Sequence, residues 1–81
     1  MPSALRVTDI DSANHTMQTG AATVYINSLP ACRVGDIDNA GQQLVGGSST
    51  VRIEGLFVGR VGDKDSAQHT KMTGSQTVNI G

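Results

Sequence analysis

Residues 60–81 read RVGDKDSAQHTKMTGSQTVNIG, and this stretch decides the fold because the chain has said nearly the same thing twice before. Residues 6–26 run RVTDIDSANHTMQTGAATVYI, and residues 33–53 run RVGDIDNAGQQLVGGSSTVRI. The period is 27 residues without insertion or deletion, so three copies (1–27, 28–54 and 55–81) account for all 81 residues. Self-similarity at a fixed period is the signature of a repeat architecture. Arg6, Arg33 and Arg60 share one position; Asp9, Asp36 and Asp63 share a second; Asp11, Asp38 and Asp65 a third. Gly20, Gly47 and Gly74 align in the same way, as do Ile26, Ile53 and Ile80. A single domain is expected, with nothing left over for a linker or a second one.

Each copy has the same inner grammar. The segments ATVYI (22–26), STVRI (49–53) and QTVNI (76–80) alternate, with Val and Ile on one face and Thr with Tyr25, Arg52 or Asn79 on the other. That is the period of a half-buried strand. The glycine at 20, 47 or 74 precedes each segment and predicts a turn. A second short extended segment leads into an R-V-x-D corner: ALRV (4–7), ACRV (31–34) and VGRV (58–61). Gly35 and Gly62 supply a turn conformation there that Thr8 must adopt without glycine's freedom. No stretch carries apolar residues at helical spacing over three turns. The fold is therefore expected to be all-β.

One such unit cannot bury its Val/Ile face alone. Three units either stack in a line or close around a threefold axis. A line requires terminal copies with altered outer faces, and the first and third copies here are as regular as the middle one. Closure is the expectation, giving a small pseudo-threefold body.

Composition narrows the rest. Hydrophobic residues make up 37%, with one Phe, one Tyr and no Trp, so the core is built from Val, Ile, Leu, Ala and Met. Six Lys plus Arg stand against seven Asp plus Glu, which gives no basic patch and argues against a nucleic-acid partner. No apolar run has the length needed to span a bilayer. The opening MPSALRV lacks a charged region followed by an apolar one, so synthesis in the cytoplasm without a signal peptide is expected. One cysteine, Cys32, cannot form an internal disulfide.

TGAATVYINSLPACRVGDID (19–38) and GGSSTVRIEGLFVGRVGDKD (46–65) resemble the repeat of PAAR proteins, named after a Pro-Ala-Ala-Arg run. The shared pattern is G-S-x-T-V-x-I-x-G-x-P-x-x-R-x-G-D. The name-giving run appears as Pro30-Ala31-Cys32-Arg33; in the third copy it has become Phe57-Val58-Gly59-Arg60, and PSALR near the start is a looser version. The resemblance implies a pointed cone of three β units that caps the blunt end of a trimeric β-helical spike. Such spikes belong to contractile phage tails and type VI secretion systems. It further implies one copy per spike trimer, a monomer when free, and an apex that makes transient contact with a target membrane. A chain that repeats one unit three times can offer three near-equivalent edges to a threefold partner.

The resemblance also implies a zinc ion, or another transition metal, near the apex, held by His and Cys side chains of the loops. His15 and His69 lie two periods apart in one column, whose middle member is Gln42. They are the candidate metal ligands, with Gln42, water or Cys32 completing the site; such a metal would tie loops together where a small scaffold lacks core. The column departs from the family pattern in its Gln and in its distance from the corner. Cys32, matched by Leu5 and Gly59, reads as a small buried hydrophobe. Asp9, Asp36 and Asp63 read as holding their own turns and pairing with the Arg three residues earlier. Asp11, Asp38 and Asp65 read as solvated loop residues. No catalytic residue and no organic cofactor is expected. The alternatives are a small metal-dependent hydrolase using His15, His69 and an Asp, and an effector-carrying adaptor. The hydrolase is disfavoured because the polar residues recur by symmetry rather than in distinct roles, and because so short a chain has little room for a pocket. A carbohydrate-binding module would need aromatic platforms that one Tyr and one Phe do not supply.

Overall fold

Local turn chemistry builds this molecule more than ladder formation does. The computed structural model describes residues 2–81. It is all-β, with no helix among the described residues. Its named strands are two residues long: β1 (Tyr25–Ile26), β2 (Leu29–Pro30), β3 (Arg52–Ile53) and β4 (Leu56–Phe57). β1 pairs antiparallel with β2, Tyr25 opposite Pro30, and β3 with β4, Arg52 opposite Phe57. The turns between them are Asn27-Ser28 and Glu54-Gly55, both residues of each at positive φ. That is the two-residue turn whose twist matches the strands it joins. The matching pair in the remaining copy joins the two ends of the chain. Ser3 bridges Asn79, and the Ile80 N–H donates to the Pro2 carbonyl at 2.7 Å.

The alternating segments are shorter as strands than the pattern suggests. Ser48 Oγ accepts from the N–H groups of Thr50 and Val51, and Ser75 Oγ from those of Thr77 and Val78. These bonds hold the bend ahead of the paired residues in two copies; Ala21 takes the same place in the first, whose strand is equally short. The apolar face nevertheless forms as expected. Val24, Val78, Ile26, Ile53 and Ile80 gather around Ala4 and Ala31 as one core cluster. A second cluster joins Leu5, Met17, Cys32 and Leu44, with Val7 against it.

Single bridges between copies tie the units together, and they repeat with the period of the sequence. Arg6 bridges Ala31, Arg33 bridges Val58, and Arg60 bridges Ala4. Met17 likewise bridges Asp38, Leu44 bridges Asp65, and Lys71 bridges Asp11. In both sets the first copy pairs with the second, the second with the third, and the third with the first. The molecule measures 24 × 24 × 22 Å.

Gly20, Gly47 and Gly74 were expected at turns, and the structure gives a different reason for them. A Cβ at Gly74 would stand 2.6 Å from the Ala4 carbonyl oxygen, and one at Gly20 2.8 Å from that of Ala31. Each glycine is where one copy's backbone lies against its neighbour's. The corners behave as expected. Asp9 N–H donates to the Arg6 carbonyl, and the third turn residue has φ 82° at Thr8, 98° at Gly35 and 97° at Gly62.

Candidate functional site

Two columns of aspartate divide the work of the loops. In the outer one, Asp9, Asp36 and Asp63 each accept from the backbone N–H and the guanidinium of the Arg three residues before, at 2.7–3.1 Å. The fork-to-fork geometry is that of a strong charge-assisted pair. Hydrogen bonding to the carboxylate, set against burial, raises the pKa of Arg6, Arg33 and Arg60 further. This is the turn-holding role the sequence suggested.

The inner column corrects the sequence reading. Asp11, Asp38 and Asp65 are not solvated; they are 1%, 0% and 2% exposed. Each uses its two oxygens differently. Oδ1 of Asp11 accepts from the N–H groups of Ala13 and His15, that of Asp38 from Ala40 and Gln42, and that of Asp65 from Ala67 and His69. Those bonds hold the loop. Oδ2 then points at the other two copies, and the three carboxylates lie within 4.8 Å of one another.

A cation joins them. Lys71 is 1% exposed, and its Nζ lies 3.4, 3.8 and 3.2 Å from Oδ2 of Asp11, Asp38 and Asp65. Burial pushes the Asp65 carboxyl up, but hydrogen bonds from His69, Lys71 and Ala67 and the charge of Lys71 outweigh it, so the group titrates below the usual range. Sequence reasoning passed over Lys71. The available signal was its column, where the other two copies carry Met17 and Leu44.

The candidate ligands lie over the same cluster, on its more exposed side. The rings of His15 and His69 are 5.3 Å apart, edge to face. Nδ1 of His15 is 3.5 Å from Asp11 Oδ2 and 3.8 Å from Asp38 Oδ2; Nδ1 of His69 is 3.5 Å from Asp65 Oδ2 and 3.8 Å from Asp11 Oδ2. Gln42 completes the ring, its Oε1 3.1 Å from His69 Nδ1, a hydrogen bond when that nitrogen carries the proton. The structure thus brings together all three members of the column. Cys32 stands apart from them: it is fully buried in the apolar cluster, its thiol donates to the Thr19 carbonyl, and burial above all pushes its pKa up to about 12. A thiol held so firmly protonated is a poor metal ligand. The Asp carboxylates, not Cys32, are the donors beside the imidazoles.

This donor set fits a metal ion. Asp11, His15 and His69 each offer a ligand atom to one point, Asp11 Oδ2 lying 3.5 Å from His15 Nδ1 and 3.8 Å from His69 Nδ1, close to the separation of donors that share one zinc-sized cation. With the carboxylates ionised, one ammonium against three of them leaves the cluster short of positive charge. Two buried polar atoms in it, His15 Nδ1 and Asp38 Oδ2, have no hydrogen-bond partner. Buried polar atoms are seldom left so.

An open recess of about 500 Å³ lies elsewhere, lined by Arg6, Asp9, Asn27, Thr73 and their neighbours. It is larger than expected for so short a chain. Its side chains bond one another: Arg6 to Asp9 and Asn27, and Thr73 to Asp9. It shares no residue with the His/Asp cluster.

Among models of known families, the one described as PAAR motif matches residues 15–68, two thirds of the chain. The matched span holds His15, Gln42, Asp38 and Asp65, and leaves Asp11, His69 and Lys71 outside it. No curated protein matches the chain.

Proposed function

This chain belongs to the PAAR-motif family, associated with the spike tips of type VI secretion and related contractile systems, and from that premise we propose that it is such a tip, a noncatalytic cap on a trimeric β-helical spike. The observation that carries the reading is the bridge pattern. Each copy pairs with the next and the third returns to the first, which supports three copies wrapped round one axis as a cone. A threefold partner needs a surface with matching symmetry, and a single chain offers it by internal repetition.

The hairpins supply the docking face in this reading. They expose Tyr25 and Leu56, and Arg52 stacks on Phe57 at 4.6 Å. The loops that carry His15, Gln42 and His69 form the leading end, which meets the target membrane when the sheath contracts. The chain is made in the cytoplasm and assembled on a virion tail or secretion spike.

At that end His15, His69 and the Asp11 carboxylate would hold a transition metal, with Gln42 as a further oxygen donor. Zinc suits imidazole with carboxylate. A bound metal supplies cross-linking of loops that share little apolar core, not Lewis-acid turnover. The residues bind and orient it: Asp11 Oδ1 fixes the loop that presents His15, and Asp65 Oδ1 the loop that presents His69. The hydrolase reading has less support, because the polar residues recur by symmetry rather than in distinct roles, and the recess lies away from the imidazoles.

Native mass spectrometry of the untagged protein mixed with a candidate spike tests the proposal. One copy per spike trimer is expected, and weaker capture for Leu56→Glu. Three copies per trimer, or no binding to any spike of the same genome, would overturn it. Elemental analysis of the same untagged protein reads the metal, with at most one per chain expected.

A further inference from the structure

Met17, Leu44 and Lys71 occupy one column and all three are buried. The first two extend the apolar cluster with Leu5 and Cys32. The third brings an ammonium to a place where its counterparts are apolar. An isolated buried ammonium is costly, and so are three converging carboxylates. Each makes the other tolerable here. Asp11 and Asp65 accept hydrogen bonds from Lys71 Nζ, at 3.4 and 3.2 Å.

The three Oδ2 atoms form a triangle of hard oxygens. Hard divalent cations take carboxylate oxygens at about 2.0–2.6 Å, and these oxygens lie close enough together to share one. The third oxygen, Asp38 Oδ2, makes no hydrogen bond although its side chain is fully buried and faces the cluster. An unsatisfied carboxylate oxygen at such a place marks a cation position that the ammonium fills incompletely.

We propose that Lys71 is a tethered cation: its ammonium occupies a three-carboxylate site built by Asp11, Asp38 and Asp65, and so frees the inner side of the cluster from dependence on a dissolved metal. Without the amine, that site takes a hard divalent cation such as Ca²⁺ or Mg²⁺. This site shares Asp11 with the imidazole site but differs from it in donor chemistry, being all oxygen, and it does not rest on the spike-tip reading.

The test compares thermal unfolding of the full chain with that of Lys71→Met, which supplies the residue present at position 17. Both are placed on a His15→Ala/His69→Ala background so that imidazole cannot contribute. In EDTA the midpoint of the Lys71→Met chain falls by at least about 10 °C. Millimolar CaCl₂ or MgCl₂ restores it, and calorimetry shows one saturable cation per chain. The lysine-containing chain shows neither response. If Lys71→Met is unfolded in EDTA, circular dichroism reads the same recovery on adding calcium. Lys71→Met/Asp38→Asn, with one carboxylate fewer, is expected to lose most of the calcium response. The proposal is overturned if Lys71→Met melts like its parent in EDTA. It is overturned equally if neither cation restores that variant, or if the lysine-containing chain binds calcium at the triad.

Discussion

Thr8 and Cys32 show what a single position contributes. Thr8 occupies the place that Gly35 and Gly62 fill in the other corners, and it does so at φ 82°. A β-branched residue there is strained, by about 1–2 kcal/mol. Thr8 is exposed and a Cβ at Gly35 or Gly62 would meet nothing, so the backbone angle alone separates the residues. Thr8→Gly gives back some of the relief as added freedom of the unfolded chain. A net gain of roughly 0.5–1 kcal/mol is expected, read as a rise in the unfolding midpoint; a fall would show that the threonine is tolerated for some other reason. Cys32 gives a pH signature. Its thiol is pushed up to about 12, chiefly by burial, from an ordinary value of 9.0. The folded chain therefore keeps its proton where the unfolded chain has lost it. Stability from this group is complete below about pH 9 and falls as pH rises towards 12, by about 1.4 kcal/mol per pH unit. Denaturant titrations of the protein and of Cys32→Ala between those values should diverge with that slope, and parallel curves would count against a buried thiol.

At the scale of the element, neighbouring copies abut at contacts too short for a side chain to intrude. Among the glycines at these contacts, Gly74 has the closest backbone neighbour. A Cβ there meets the Ala4 carbonyl oxygen at 2.6 Å, Val61 Cγ2 at 2.8 Å and Ser3 Cβ at 3.1 Å. The nearest of these is backbone, held in place because the same carbonyl accepts the Ser75 N–H. It cannot rotate away as the end of a flexible side chain would. Gly74→Ala should therefore destabilise by about 1–3 kcal/mol, measured by urea unfolding. An unchanged midpoint would mean that the two copies are not pressed together there.

Considered whole, the molecule pairs Pro2 and Ser3 with Asn79 and Ile80 as it pairs the strands of its two hairpins. Ser3 pairs with Asn79 as Pro30 does with Tyr25 and Phe57 with Arg52, although these two segments lie far apart in sequence. Joining Gly81 to Met1 puts two residues between Ile80 and Pro2, as many as in the other two turns, and keeps the period. Opening the chain between Asn27 and Ser28 then moves the break to the next hairpin. Such a permutant should fold with one cooperative transition and a spectrum like the parent's, because every bridge between copies is retained. Copies arranged end to end would lose a central junction instead, and an unfolded permutant would favour that arrangement.

The sequence by itself determined the repeat, the all-β class, the pairing of each Arg with its Asp, and the shared column of His15, Gln42 and His69. These follow from spacing along the chain, which a fixed period makes explicit. It could not tell how far each position stands from the centre. Asp11, Asp38 and Asp65 read as solvated because charged loop residues usually are, and only the return of the third copy to the first puts them inside. The same closure explains where the copies differ. Leu5, Cys32 and Gly59 form one unlike set: a Cβ at Gly59 would strike Leu44 Cδ2 at 2.5 Å, so the three cannot all be large. Met17, Leu44 and Lys71 form another, in which one ammonium can answer three carboxylates and three ammoniums could not. Where side chains of three copies meet, identical residues cannot fill one space or balance one charge. Only the tertiary structure could decide which copy carries which.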